Sequence, residues 1–176
     1  MKLFSKSLKP EEVINFLKEN PDFKMSPQST NHVLLVKPAE FYSNEQTIET
    51  NHYQNTNNKK PRSEILNEAL VEFNQFEKNL LDHDIRVTTF LGQKGCPDNI
   101  FPNWAVTFDD QSMHIFSMLG KNRRLEKSKN HIQDLNRTYK TTLDYTEYEN
   151  KSQFLEGTSS LVLDRVNRVA YMGISP

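Results

Sequence analysis

The stretch Pro97-Asp98-Asn99-Ile100-Phe101-Pro102-Asn103-Trp104 sets a carboxylate, two amides, two prolines and the only tryptophan between two apolar runs. Binding groups favour loops held by a rigid scaffold, so this turn is a candidate site. It is also ordinary chemistry for a turn that caps a hairpin, and Asp98 fits either role. The single thiol, Cys96, comes just before it, in Gly95-Cys96-Pro97. Thiolate attack requires a neighbouring base or a positive field. His83 and His114 qualify by type, but no spacing puts them beside Cys96, and a plain loop thiol is the alternative. The five histidines show no ligand-like spacing, so neither a metal site nor a cofactor is indicated.

Composition narrows the classes. The 176 residues suit one domain with a real core. With 35% hydrophobic and 26% charged residues the chain is polar, yet eleven Phe, six Tyr and periodic apolar segments point to a folded domain. A net charge of -1 gives no global pull toward nucleic acid or an anionic membrane. One cysteine rules out an internal disulfide framework and favours a reducing, cytoplasmic setting. No apolar run reaches the roughly 20 residues of a membrane span, and the start lacks the apolar core of a secretory signal.

The elements that would position the loop can be read from periodicity. Pro10 to Asn20 predicts a short helix with Val13, Ile14, Phe16 and Leu17 on one face, stopped by Pro21. Residues 1–29 then form an N-terminal helical extension. His32 to Pro38 lacks polar alternation and predicts a strand buried on both faces. Ala39 to Pro61, with His52 and Tyr53, has no clear period, and segments of that length are often functional. Ser63 is expected to cap a helix to about Asp82, with Leu66, Leu70, Phe73, Phe76 and Leu80 as its apolar stripe. A strand from Ile85 to Leu91 leads into the loop.

Beyond the loop, Trp104–Phe108 and Met113–Met118 predict a hairpin across Asp109 to Ser112. Asn122 is expected to cap a helix with the stripe Leu125, Ile132, Leu135 and Tyr139, followed by a strand over Thr141 to Glu147. These elements make a β-β-α-β unit. Leu161–Leu163 and Val169–Met172 predict a second hairpin across Asp164 to Arg168. They begin another such unit, whose helix would start at the end of the sequence. A module that cannot finish its layer exposes apolar surface or a strand edge. The expectation is part of a larger architecture, either cut short or completed by a second chain or a homo-oligomer; alternatively, the last hairpin closes a sheet edge.

Several ordered motifs resemble one family. They are Val33-Leu34-Leu35-Val36-Lys37-Pro38, Thr50-Asn51-His52-Tyr53-Gln54, the loop from Pro97 to Trp104, Asn122-Arg123-Arg124-Leu125-Glu126, and Leu155-Glu156-Gly157-Thr158-Ser159-Ser160 through Arg165. Together they are similar to the N-terminal half of the arginine deiminase-related amidinotransferase family, which includes citrulline hydrolases. The resemblance implies an α/β fold of pentein type, a propeller of β-β-α-β units, with residues 30–176 as its N-terminal part. It also implies chemistry at a guanidino or ureido carbon through a cysteine-bound intermediate, with an arginine- or citrulline-like amino acid as ligand.

A planar guanidinium is best held by carboxylates in bidentate geometry. Glu156 is similar to the family position that grips substrate nitrogens, and Gly157 lets backbone approach closely; a solvated charge at a strand start is the alternative. Relatives carry a second acid after the loop phenylalanine, where this chain has Asn103, and an amide facing the substrate suits a neutral ureido group. Arg124 and Arg165 resemble positions that clamp a substrate carboxylate, or are surface charges. The family's nucleophilic cysteine and acid/base histidine belong to its C-terminal half, so the expectation is substrate binding through Asp98, Asn103, Arg124, Glu156 and Arg165 with no catalytic residue in this chain.

The competing class is a non-catalytic binding or interaction protein. Lys121, Arg123, Arg124, Lys127, Lys129, Arg137 and Lys140 crowd one region against only Glu126 and Asp134. Such a run meets phosphate in some proteins and is more often a solvated helix face. Only Tyr139 interleaves it, which argues against nucleic acid.

Overall fold

Hydrophobic periodicity and the parallel pairing of two strands set the first layer. The computed structural model describes residues 10–19, 27–48, 51, 54, 59–108 and 110–173. Contacts divide the chain into two compact units, Thr30–Ser160 and a smaller one of Met1–Ser29 with Leu161–Pro176.

In the larger unit β1 (His32–Lys37) runs parallel to β2 (Arg86–Leu91), from His32 opposite Arg86 to Lys37 opposite Leu91. The crossover between them is α2 (Arg62–Asp82). Its half-buried face carries Leu66, Leu70, Phe73 and Leu80, as the stripe predicts, but Phe76 is 53% exposed. The N-cap is Pro61 rather than Ser63; proline needs no amide partner there and brings the preset φ that starts a helix. β1 is less enclosed than its apolar run suggests: only Val36 is fully buried, because a two-stranded sheet leaves its edges open.

The β-β-α-β unit forms as predicted in outline. β3 (Ala105–Thr107) and β4 (Ser112–Ile115) make the expected hairpin, with Gln111 at φ 64° in its turn. β5 (Thr141–Asp144) joins parallel to β4 and gives the order β3-β4-β5. Trp104, Met113, Ile115 and Met118 form the core, with Ile132, Leu135 and Tyr139 packed on it.

The connecting helix is broken. α3 (Lys121–Arg124) follows Gly120, α4 (Lys129–Leu135) follows Ser128, and Asn122 lies inside α3 rather than capping it. Leu125, expected on the stripe, is 61% exposed. The cause is polar: Glu126 is drawn inside by Arg123 while Lys127 pairs with Glu149, and a continuous helix would not aim both inward. The last strand is also shorter than expected. Asp144 Oδ1 accepts from Thr146 N at 2.8 Å, turning the chain into a 3-10 helix over Thr146–Lys151. The sequence then yields an unpredicted turn of helix, α5 (Gly157–Ser160), where Ser160 N donates to Glu156 O at 2.8 Å.

The smaller unit holds α1 (Pro10–Glu19) and the antiparallel pair β6 (Leu161–Asp164) and β7 (Val169–Met172). Ile14 is exposed; the side chains of Val13, Phe16 and Leu17, and residues His52 and Tyr53, lie outside the described residues. The β6–β7 turn is fixed by Asp164, which accepts from Asn167 N at 2.9 Å and Asn167 Nδ2 at 2.7 Å. No helix among the described residues is long and apolar enough to cross a membrane.

Gly157 makes the tightest approach in the larger unit. A Cβ built there would sit 2.7 Å from both Phe116 Cδ2 and Val106 Cγ2. Glycine is therefore required by space, and Gly157→Ala is expected to destabilise the protein by about 1–3 kcal/mol, as overpacking does. Urea unfolding checks this; an unchanged midpoint would contradict the fit.

Candidate functional site

Arg123 is the centre of the polar cluster and was not singled out from the sequence. It sits at the end of α3, side chain 7% exposed, because every arm of its guanidinium finds an acceptor. Nε donates to Glu126 Oε1 at 3.0 Å and Nη2 to Glu126 Oε2 at 3.3 Å. Nη2 also donates to the Phe101 carbonyl at 2.6 Å, and Nη1 to Glu156 Oε2 at 3.1 Å. One guanidinium thus ties the loop, the helix break and the stretch before α5. The expectation of a solvated basic face fails here, since buried charges persist only when paired.

Electrostatics follow from that burial. Glu126 is fully buried, and loss of water pushes its carboxyl from 4.5 up to about 7, with Asp98 and Glu156 adding repulsion and Arg123 opposing. Burial alone would lower Arg123, yet Glu126, Glu156 and Asp98 together hold it above its ordinary value.

The predicted site residues divide into three groups. Glu156 pairs with Arg123, and Asp98 acts on it through its field. Asp98 Oδ2 accepts from Asn44 Nδ2 at 2.7 Å and from Thr47 Oγ1 at 3.4 Å, so it anchors residues 44–47. Asn44, fully buried, also exchanges amide hydrogen bonds with Asn122 at 2.7 and 3.2 Å. Glu156 is engaged through Oε2, and its side chain keeps 20% exposure. Asn103 lies on the same loop, its Oδ1 accepting from Thr158 Oγ1 at 2.6 Å. Arg124 makes different contacts: it donates to the Met118 carbonyl at 2.9 Å and the Leu119 carbonyl at 3.3 Å, with Glu149 at 3.8 Å and its guanidinium over the Phe154 ring. Arg165 belongs to the smaller unit, where its N donates to Gln28 Oε1 at 2.8 Å.

Cys96 is 1% exposed and donates to the Asn122 carbonyl at 3.2 Å. Burial, then Glu126 and Glu40, push the thiol up to about 11, the reverse of an activated nucleophile. Burial likewise lowers His114, whose Nδ1 lies 3.2 Å from the Tyr145 hydroxyl. Among the described residues no group of three or more His, Cys, Asp or Glu is arranged to hold a metal ion.

The signal that could have found this hub is small. Glu126 is three residues after Arg123, the spacing of a helical ion pair, within a run that has only one other acid.

Comparison with known proteins gives the family and the fold. A sequence profile described as N,N dimethylarginine dimethylhydrolase, eukaryotic, matches residues 37–176. The chain belongs to that family. The expected relationship to arginine deiminase-like proteins therefore holds, and solved structures supply the fold. Unliganded AgrE superposes with a TM-score of 0.62 at 22% identity, covering 81% of this chain and 19% of AgrE. A mutant of AgrE has also been captured in a binary complex with L-arginine. ArgZ, an arginine dihydrolase from the ornithine-ammonia cycle in cyanobacteria, gives 0.63 at 16% identity, covering 82% of this chain and 20% of ArgZ. The N-terminal domain of ArgZ, covalently bound to a reaction intermediate, gives 0.60 at 15% identity over 81% of this chain and 48% of that domain. The fold of this dimethylarginine dimethylhydrolase relative is accordingly a pentein-type α/β fold, seen in part. It spans about a fifth of the length of AgrE and ArgZ. No curated protein sequence matches the chain significantly.

The raised Glu126 carboxyl has a consequence for stability. A group held above its ordinary value in the folded state contributes stability that is complete below the unfolded value of 4.5 and is lost as pH rises through about 7. The melting temperature of the natural protein is expected to fall relative to Glu126→Gln across that window and then to level off. A constant difference would mean that Glu126 ionises normally.

Proposed function

We propose that this chain provides the substrate-gripping part of an enzyme that hydrolyses or transfers at the guanidino or ureido carbon of an arginine-like amino acid, methylated arginine included. The observation that carries the reading is the carboxylate arrangement: the guanidinium of Arg123 is held by a carboxylate fork from Glu126, meets Glu156 at one oxygen, and feels the field of Asp98. A second, ligand guanidinium is recognised by the same chemistry, planar N–H donors meeting carboxylate oxygens. Membership of the dimethylarginine dimethylhydrolase family, and a fold shared with an arginine dihydrolase, support it.

Glu156 is assigned to the substrate nitrogens, with Asp98 and Asn103 shaping the loop beside it. Arg124 is proposed to meet the ligand's carboxylate. For Arg124 this requires release from the Met118 and Leu119 carbonyls. Cys96 is not the nucleophile in this reading, because its thiol is buried and stays protonated near neutral pH. The attacking thiol and the acid/base group come from other polypeptide, such as a second chain completing the propeller. The proposed setting is the cytoplasm, whose reducing milieu suits a free thiol.

The same inert thiol favours one alternative, a protein that binds guanidino or ureido amino acids without converting them. Incubation with L-arginine, N,N-dimethylarginine or citrulline, with and without a chain carrying the C-terminal half of the fold, separates the two. Ammonia or amine release only on complementation, abolished by Glu156→Gln, supports the enzyme. Binding without release in the complemented assembly supports the alternative. In either case Glu156→Gln is expected to weaken binding about tenfold or more, the cost of one charge-assisted hydrogen bond. Unchanged affinity would remove Glu156 from the site.

A further inference from the structure

Glu126 stands behind the proposed grip. It is fully buried in the break after α3, and both its oxygens are taken by the Nε and Nη2 edge of Arg123. This side-on fork fixes the plane of the guanidinium, and the Phe101 carbonyl fixes its far corner. Arg123 is left with Nη1 to offer Glu156, which it meets at one oxygen only, Oε2 at 3.1 Å.

We propose that Glu126 is a positioning residue: by holding Arg123 edge-on, it keeps that guanidinium from closing over Glu156 and leaves the second Glu156 oxygen for the ligand. Two carboxylates compete for one guanidinium. While Glu126 is ionised it occupies the bidentate edge, and Glu156 receives a single hydrogen bond. When Glu126 takes up a proton, one of its oxygens becomes a donor and the fork is lost. Arg123 is then free to pair with Glu156 through two bonds, and the grip is shut by the protein's own guanidinium. The raised carboxyl of Glu126, near 7, puts this change in the physiological range. The charged and titratable groups acting on Glu126 are Arg123 from α3, Asp98 from the loop, Glu156 before α5 and the thiol of Cys96, and of these Cys96 titrates well above neutral.

This inference rests on the reading that Glu156 meets the ligand, and the test separates the two. Calorimetry of the full chain with L-arginine at pH 8 and pH 6 is the measurement. The ligand keeps its guanidinium and carboxylate charges throughout. The natural protein is expected to bind about tenfold more weakly at pH 6, the ratio of ionised Glu126 at the two values. Glu126→Gln should bind at the weak level at both, with its pH step gone, whereas a merely structural role would leave the step in place.

If the natural chain does not bind L-arginine at all, or Glu156→Gln binds as well as it does, the substrate reading fails. If Glu156→Gln loses binding while Glu126→Gln equals the natural protein at both pH values, only the positioning role is overturned. Should Glu126→Gln not fold by circular dichroism, the natural protein's profile decides alone. A flat profile between pH 6 and pH 8 overturns the role.

Discussion

A guanidinium taken out of water must find partners for its planar set of donors, and the larger unit is arranged around that demand. Arg123 draws the Phe101 carbonyl, both oxygens of Glu126 and one of Glu156 to itself. These come from three stretches: the loop after β2, the break between α3 and α4, and the approach to α5. Removing one member of a buried charged set costs far more than a surface pair is worth, because the remaining charges stay uncompensated. The cluster therefore serves as a geometric specification. It sets where Glu156 stands more firmly than backbone preference could over a stretch with so little regular structure.

A second network secures the same loop. Asn44 and Asn122 pair amide to amide, Asn44 also reaches Asp98, and Asn122 N donates to Gln46 Oε1 at 2.9 Å. Neutral amides suit this work because each carries both donor and acceptor, so a chain of them can be satisfied without adding charge beside Arg123. Asp98 thus faces two ways, toward the amides by hydrogen bonds and toward Arg123 by its field.

The sequence disclosed what regular periodicity can disclose. The β1-α2-β2 crossover and the hairpin of β3 and β4 follow from apolar spacing, because in each an apolar stripe is met by a matching surface. Phe76 misled because it continues the stripe of α2 past the width of a two-stranded sheet. The α3–α4 break was illegible for a related reason: Leu125 fits the stripe, while the groups that break the helix, Glu126 and Lys127, read as solvated charges. Local spacing does not record whether a charged side chain has a buried partner far along the chain. Glu156 and Asp98 stood out by the motifs they sit in, whereas Arg123 and Asn44 were recognisable only once their partners were in place.

Gly157 joins the apolar core to the polar cluster in a way that reaches past either. With Phe116 and Val106 pressed against its bare α-carbon, the residue before it, Glu156, has its backbone set by the hairpin core rather than by a flexible loop. Variation in the core is then transmitted to Glu156. A change in the size of residue 106 or 116 alters the seat of Gly157, and so the direction in which Glu156 presents its carboxylate. On the role proposed for Glu156, the inheritable freedom of the β3–β4 core is limited by recognition as well as by stability, and compensating changes between Val106, Phe116 and the Leu155-Glu156-Gly157 stretch are the pattern that such a linkage leaves in related sequences.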